Sequence, residues 1–176
     1  PTATAEPSSP ATPAPPTTAP AECAAPLASY APLSPLPGPN ALPAGSTMAQ
    51  SRDRGRLGVG VSADSRLLGS RNPISGVIEG FDIDMARLVS EAIFGDPNRI
   101  EYRVITAAER IPLLQEGAVD LVARNMTITC ARWEQIAFSA EYYRSGQKVL
   151  VPLGSDATSL ADLGGRRVCA PAGSTS

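Results

Sequence analysis

Arginine, serine, asparagine and threonine gather at three points of this 176-residue sequence, around positions 62–64, 106–110 and 124–132. The residues that could do chemistry there are Ser62, Arg110, Arg124, Asn125, Thr127 and Arg132. A guanidinium is a planar fork of donors that stays charged at any working pH, and hydroxyls and amides add further donors and acceptors. Such a set holds a ligand; it includes no positioned base. The chain has no histidine, which removes the commonest general base and metal ligand. Its three cysteines, Cys23, Cys130 and Cys169, form no CxxC pair, so neither a zinc site nor a redox site is expected. Asp82 and Asp84 resemble a catalytic carboxylate pair, but their place at the start of a helical pattern reads as capping. No catalytic residue, metal or cofactor is therefore expected.

Each cation also has a plainer reading. Arg132 fits a solvated helix arginine, and Arg110 fits a surface partner of Glu109 or Glu116, a pairing that contributes little. Arg124 fits a structural salt bridge. Asn125 and Thr127 are ordinary strand-end residues apart from their neighbours.

The elements that must position these groups follow from periodicity. Residues 56–62 (RLGVGVS) alternate as a buried strand, and 65–80 read as a loop bearing Gly, Asn and Pro. GFDIDMARLVSEAIFG predicts a helix with an apolar stripe of Ile83, Ala86, Leu88, Val89, Ala92 and Ile93, closed by Gly95. A strand is predicted over 100–106, rich in β-branched residues, then a helix over 107–116 ending at Gly117. Pro112 lies in its first turns, where proline is tolerated. Further strands are predicted at 120–127, 147–153 and 167–172, with short helices opening at Thr129 and Ser159. This alternation means an α/β fold with a mostly parallel sheet, and such sheets bind ligands beyond the carboxyl ends of their strands. The three polar clusters lie there.

The rest of the chain bounds the answer. Thirteen of the 18 prolines fall within residues 1–43, and the first basic residue is Arg52. A stretch so poor in bulky apolar side chains does not offset chain entropy, so 1–50 is expected to be a disordered, extended Pro/Ala/Thr-rich tether, with order beginning near Arg56. Net charge is −2 with scattered basic residues, which excludes a nucleic-acid stripe. No apolar run is long enough to span a bilayer.

Three collinear segments, GFDIDMARLVSEAI, LLQEGAVDLV and NMTITCARWEQIAFSAEYY, together with a preceding VGVS strand, resemble the polar-amino-acid solute-binding proteins (family 3) of ABC transporters. The nearest likeness is to glutamate/aspartate/glutamine-binding lipoproteins of actinobacteria. SLADLGGRRVCAPAGSTS resembles the segment that enters the family's second lobe. The resemblance runs from about residue 56 to 176. It implies a type II periplasmic-binding-protein-like fold, with lobe 1 over 51–150, a hinge strand and an incomplete second lobe over 151–176, and the rest of that lobe beyond Ser176.

Through that resemblance Arg132, in the T-x-T-x-x-R turn, is expected to grip a substrate α-carboxylate, with Asn125 and Thr127 adding hydrogen bonds. Gly173, Ser174 and Thr175 match a loop at a helix start that offers N–H groups to the same carboxylate. Arg110 precedes Arg132 by 22 residues, as in binders of aspartate and glutamate, where it meets the side-chain carboxylate. Ser62 replaces a lysine of those binders and Arg124 replaces a small residue, which leaves room for glutamine and asparagine. Ala107, in place of an aromatic, argues against arginine or lysine. A Cys130–Cys169 disulfide near the hinge is implied, adding roughly 4 kcal/mol in the chain-entropy model, with Cys23 unpaired within the chain.

The partners implied are a small-molecule amino acid and an ABC permease, or a membrane signalling protein if the receptor is a sensor. A dehydratase on the same fold is the remote alternative. The protein is expected to be an extracytoplasmic monomer, lipid-anchored upstream of Pro1.

Overall fold

The computed structural model describes residues 25–29 and 35–176; most of the expected tether, Cys23 included, lies outside the described residues. Order begins earlier than Arg56. A 3-10 turn at Pro39–Ala41 precedes helix α1 (Thr47–Arg54), which Ser46 caps by accepting from the Ala49 N–H at 3.2 Å. Its short, mostly polar sequence carries no strong apolar period, which is why the pattern alone missed it.

The centre is a parallel sheet of β1 (Leu57–Val61), β5 (Ile100–Val104) and β6 (Leu121–Ala123), ordered β5-β1-β6. Between β1 and helix α2 (Phe81–Phe94), the expected loop instead folds into a small antiparallel sheet of β2 (Asp64–Ser65), β3 (Gly69–Arg71) and β4 (Ile78–Glu79). Helix α3 (Arg110–Gln115) connects β5 to β6, and helix α4 (Cys130–Trp133) is a single turn.

Strand alternation distributes the core over both faces of the sheet. Leu57, Val59 and Val61 of β1 pack with Ala123 against Ile83, Ala86 and Ile93 of α2. The other face carries Ile105, Leu113, Val119 and Val122 beneath α3. On that face β1 presents glycine, and a Cβ at Gly60 would lie 2.7 Å from Ile105 Cδ1 and 3.2 Å from Val122 Cγ2. The glycines of LGVGV therefore let one side of the central strand be approached closely while the valines fill the other. Leu88 and Val89, expected in the buried stripe of α2, are exposed; Ser90 takes an inner place, its hydroxyl donating to the Asp96 carbonyl at 2.8 Å.

Gly80 starts α2 at φ 131°, where a Cβ would run into the Leu68 carbonyl oxygen. The N–H groups of Phe81 and Asp82 donate to the Leu67 and Leu68 carbonyls, each at 2.9 Å. Backbone carbonyls thus cap this helix, and the expected side-chain capping by Asp82 and Asp84 is not made.

Two expected strands are not formed. Residues 147–153 and 167–172 are extended without ladder partners among the described residues, and Leu150 and Leu153 are fully exposed. A strand needs a neighbour for its backbone groups, and the sheet offers none to these segments. Cys169 is a free, exposed thiol. The implied Cys130–Cys169 bridge is therefore corrected: Cys130 is disulfide-bonded, but not to Cys169.

Candidate ligand-binding site

The carboxyl ends of all three parallel strands open onto one region. Ser62 and Asp64 follow β1, Thr106 and Arg110 follow β5, and Arg124, Asn125 and Thr127 follow β6. A cleft of about 620 Å³ lies there, lined among others by Asp64, Thr106, Glu109, Arg124 and Ala172.

Arg110 is 3% exposed, an unusual burial for a cation at a helix start. Its Nε donates to the Ala107 carbonyl at 2.7 Å, Nη1 to the Asn125 carbonyl, and Nη2 to the Gly173 carbonyl at 2.8 Å. Burial first, then the neighbouring Arg132 and Arg124, lowers its pKa to about 10, still cationic at neutral pH. The surface pairing with Glu109 or Glu116 is not what occurs. Glu109 accepts instead from the N–H and the hydroxyl of Thr106, both at 2.7 Å, bonds that hold its carboxyl below the usual range.

Arg132 is half-buried. Its Nη1 donates to the Thr127 carbonyl at 2.7 Å and its Nη2 to the Gly173 carbonyl at 3.1 Å. Two guanidinium forks from different helices thus converge on one oxygen. Gly173 can come so close because it is glycine: a Cβ there would sit 2.7 Å from Ala108 Cα. Beside it, the Thr127 and Thr175 hydroxyls lie 2.9 Å apart.

Arg124 keeps much of its plainer reading. Its Nε donates to the Ile105 carbonyl at 3.0 Å, and Nη2 stands 3.7 Å from Asp64 Oδ1. Asp64 is held below the ordinary aspartate range by its Ser62 hydrogen bond and then by Arg124. Ser62 is fully buried, with its hydroxyl 2.6 Å from Asp64 Oδ1 and 3.0 Å from Ser65 Oγ, and it accepts the N–H groups of both residues. The hydroxyl expected to face a ligand is spent on its own turn.

Ser174 also differs from expectation. No helix starts at 173–175; the Ser174 N–H donates to the Pro171 carbonyl at 3.3 Å, and its hydroxyl accepts from Ser176. Sequence reasoning read Asp82 as a helix cap and did not single out Tyr142; the two meet at 2.9 Å beside the Asn125 turn. The only signal for Asp82 was the helix-start motif, and it pointed to capping.

A family model described as bacterial extracellular solute-binding proteins, family 3, matches residues 57–163. The chain belongs to this family. Among its relatives, the ABC transporter glutamine-binding protein GlnH of Bacillus subtilis is 43% identical over 131 residues, 74% of this chain and 48% of the relative. The glutamate-binding protein GluB of Corynebacterium glutamicum is 34% identical over 129 residues, 70% of this chain and 43% of the relative. Of solved structures, the cysteine-binding protein from Campylobacter jejuni superposes with a TM-score of 0.57 at 27% identity, covering 66% of this chain and 47% of that one. The chain spans about half the length of the curated relatives it matches. The fold is that of the type II periplasmic-binding proteins, as the strand order and flanking helices indicate. Family 3 proteins are extracellular, and among the described residues no helix is long and apolar enough to cross a membrane.

Proposed function

We propose that this protein binds an amino acid with an acidic side chain, glutamate or aspartate, with glutamine and asparagine as weaker ligands, outside the cell membrane. It hands that ligand to an ABC permease and is held at the membrane by a lipid anchor upstream. It acts as a monomer and as a receptor rather than an enzyme. The observation that carries the ligand reading is the convergence of Arg110 and Arg132 on the single Gly173 carbonyl oxygen. Among the described residues neither arginine has a carboxylate partner. Each of these two charged forks is spent on a shared neutral oxygen, and each would hold a carboxylate of its own far better, through bidentate, charge-assisted bonds. Arg132, Thr127 and Asn125 then hold the α-carboxylate, with Ser174 and Thr175 closing from the following segment. Arg110, backed by Arg124, meets the side chain. The names of the glutamine- and glutamate-binding relatives support the same class.

A thermal-shift panel of the twenty amino acids on the full-length protein tests the reading, because a ligand that binds the native state raises Tm by mass action. Glutamate and aspartate are expected to give the largest shifts. Arg132→Ala is expected to abolish every shift, and Arg110→Ala to cost glutamate at least tenfold more affinity than glutamine, about one charge-assisted bond. Equal losses for glutamate and glutamine would remove Arg110 from side-chain recognition. Shifts only with arginine or lysine would overturn the acidic class.

A further inference from the structure

Among the described residues Asp82 is the one buried carboxylate, 1% exposed. It sits in the first turn of α2 but caps nothing, because the Leu67 and Leu68 carbonyls already take the N–H groups there. Its two oxygens point toward the end of the sheet. Oδ2 accepts the Asn125 N–H at 3.1 Å, and Oδ1 accepts the Tyr142 hydroxyl at 2.9 Å. These contacts reach 43 and 60 residues along the chain, so they are tertiary ties rather than local turn bonds.

Asn125 is the crossing point. Its backbone N–H is held by Asp82, its carbonyl accepts Arg110 Nη1, and its side-chain oxygen lies 3.4 Å from Arg124 Nη1. Tyr142 is steadied from the other side by Phe81, the rings 5.9 Å apart and tilted by 51°. Burial, and then the Asp82 carboxylate, pushes the Tyr142 hydroxyl above its ordinary pKa. It therefore stays protonated and donates. A buried carboxylate linked through Asn125 to two arginines, Arg110 and Arg124, and paired with neither, is a costly arrangement if it serves packing alone.

We propose that Asp82, braced by Tyr142, is a positioning residue for ligand recognition: it fixes the Asn125 backbone and so aims the Arg110 fork that selects an acidic side chain. The inference rests on the amino-acid reading above and deepens it. Asp82 does not touch the ligand; it acts through Asn125 and Arg110. A carboxamide at position 82 still accepts from the Asn125 N–H while its NH2 donates to the Tyr142 oxygen, so asparagine is the conservative rescue.

The test is a double-mutant cycle on the full-length protein, read by titration calorimetry with L-glutamate and L-glutamine. Asp82→Ala is expected to weaken glutamate roughly tenfold and glutamine only about twofold, and Asp82→Asn to recover glutamate to within about threefold of wild type. In an Arg110→Ala background the further loss from Asp82→Ala is expected to shrink to about twofold, the mark of residues acting as a unit. Where Asp82→Ala does not fold, the cycle is run with Tyr142→Phe, which deletes one hydroxyl and is expected to weaken glutamate about threefold, an effect that vanishes beside Arg110→Ala. Losses that are additive, or equal for the two ligands, overturn the inference while wild-type binding stands. Wild-type protein that binds neither ligand sinks the amino-acid reading, and this inference with it.

Discussion

Residues 57–61 and 149–153 are both short runs bearing valine and leucine, but the first is buried between two neighbours and the second lies in water. Val59 and Val61 are 0% exposed, sandwiched in the sheet under α2, while Leu153 is 107% exposed. The difference is one of partners. β1 has β5 on one side and β6 on the other, which satisfy its backbone groups, and the helices then cover its faces. The stretch from 134 to 176 has hydrogen bonds of its own, but they are mostly local turns such as Thr158 and Ser159 on Asp162. The candidate site spans this divide. Arg110 and Thr127 stand on the packed side, and from the other Gly173 accepts from Arg110 while the Thr175 hydroxyl meets that of Thr127.

The sharpest way to break this comparison is to delete one apolar side chain from each region. Ile83→Ala removes a fully buried side chain from the face of α2 and is expected to destabilise by about 2–5 kcal/mol. Leu150→Ala, in the solvated stretch, is expected to stay within about 0.5 kcal/mol. Urea unfolding with the slope monitored reads both; a comparable loss at Leu150 would mean that 149–153 is packed in solution. A smaller effect separates two aspartates. Asp120 accepts the Gly58 N–H at 2.8 Å and pairs with Arg54, tying the start of β6 to β1. Asp120→Ala should cost about 1–3 kcal/mol by leaving that N–H unmatched. Asp162→Ala, on an exposed turn, is expected to change stability by under about 0.5 kcal/mol.

The smallest effect asks where the regions agree. Glu109 and Asp162 each hold the start of a turn by accepting backbone and hydroxyl donors, and both carboxyls are lowered for that reason. A folded-state pKa below the unfolded value stabilises above the unfolded pKa, about 4.3 for Glu and 3.9 for Asp, and that contribution is lost as pH falls through the folded value. Carboxyl-detected NMR titration should place both below these references, and Thr106→Val should raise Glu109. An ordinary value for Asp162 alone would show that its turn is not held in solution.

What the sequence revealed follows the same divide. β1, α2, β5, α3 and β6 were legible because their apolar spacing is satisfied by each other. Residues 147–153 and 167–172 carry the same kind of spacing, but spacing cannot supply a neighbouring strand. The small sheet at 64–79 was hidden because its strands are two or three residues long and mostly exposed. Arg110 was singled out only through the family resemblance, since its distance from Arg132 means nothing without it. Ser62 was misleading, since nothing in a serine announces that Asp64 and Ser65 will occupy it. Asp82 hid behind a correct motif: a helix-start aspartate reads as a cap unless one knows that Gly80 has handed the capping to carbonyls.

The Gly173 carbonyl has a consequence for any affinity measured on this chain. Because it is tethered to the same polypeptide, it competes with an incoming carboxylate at a fixed effective concentration, however much free ligand is added. The observed dissociation constant is then the intrinsic one divided by the fraction of molecules in which both forks are vacated. A substitution that turns only the Gly173 carbonyl away from the two forks, leaving Ser174 and Thr175 in place, would tighten binding without adding a single contact to the ligand, by removing a rival rather than improving the grip.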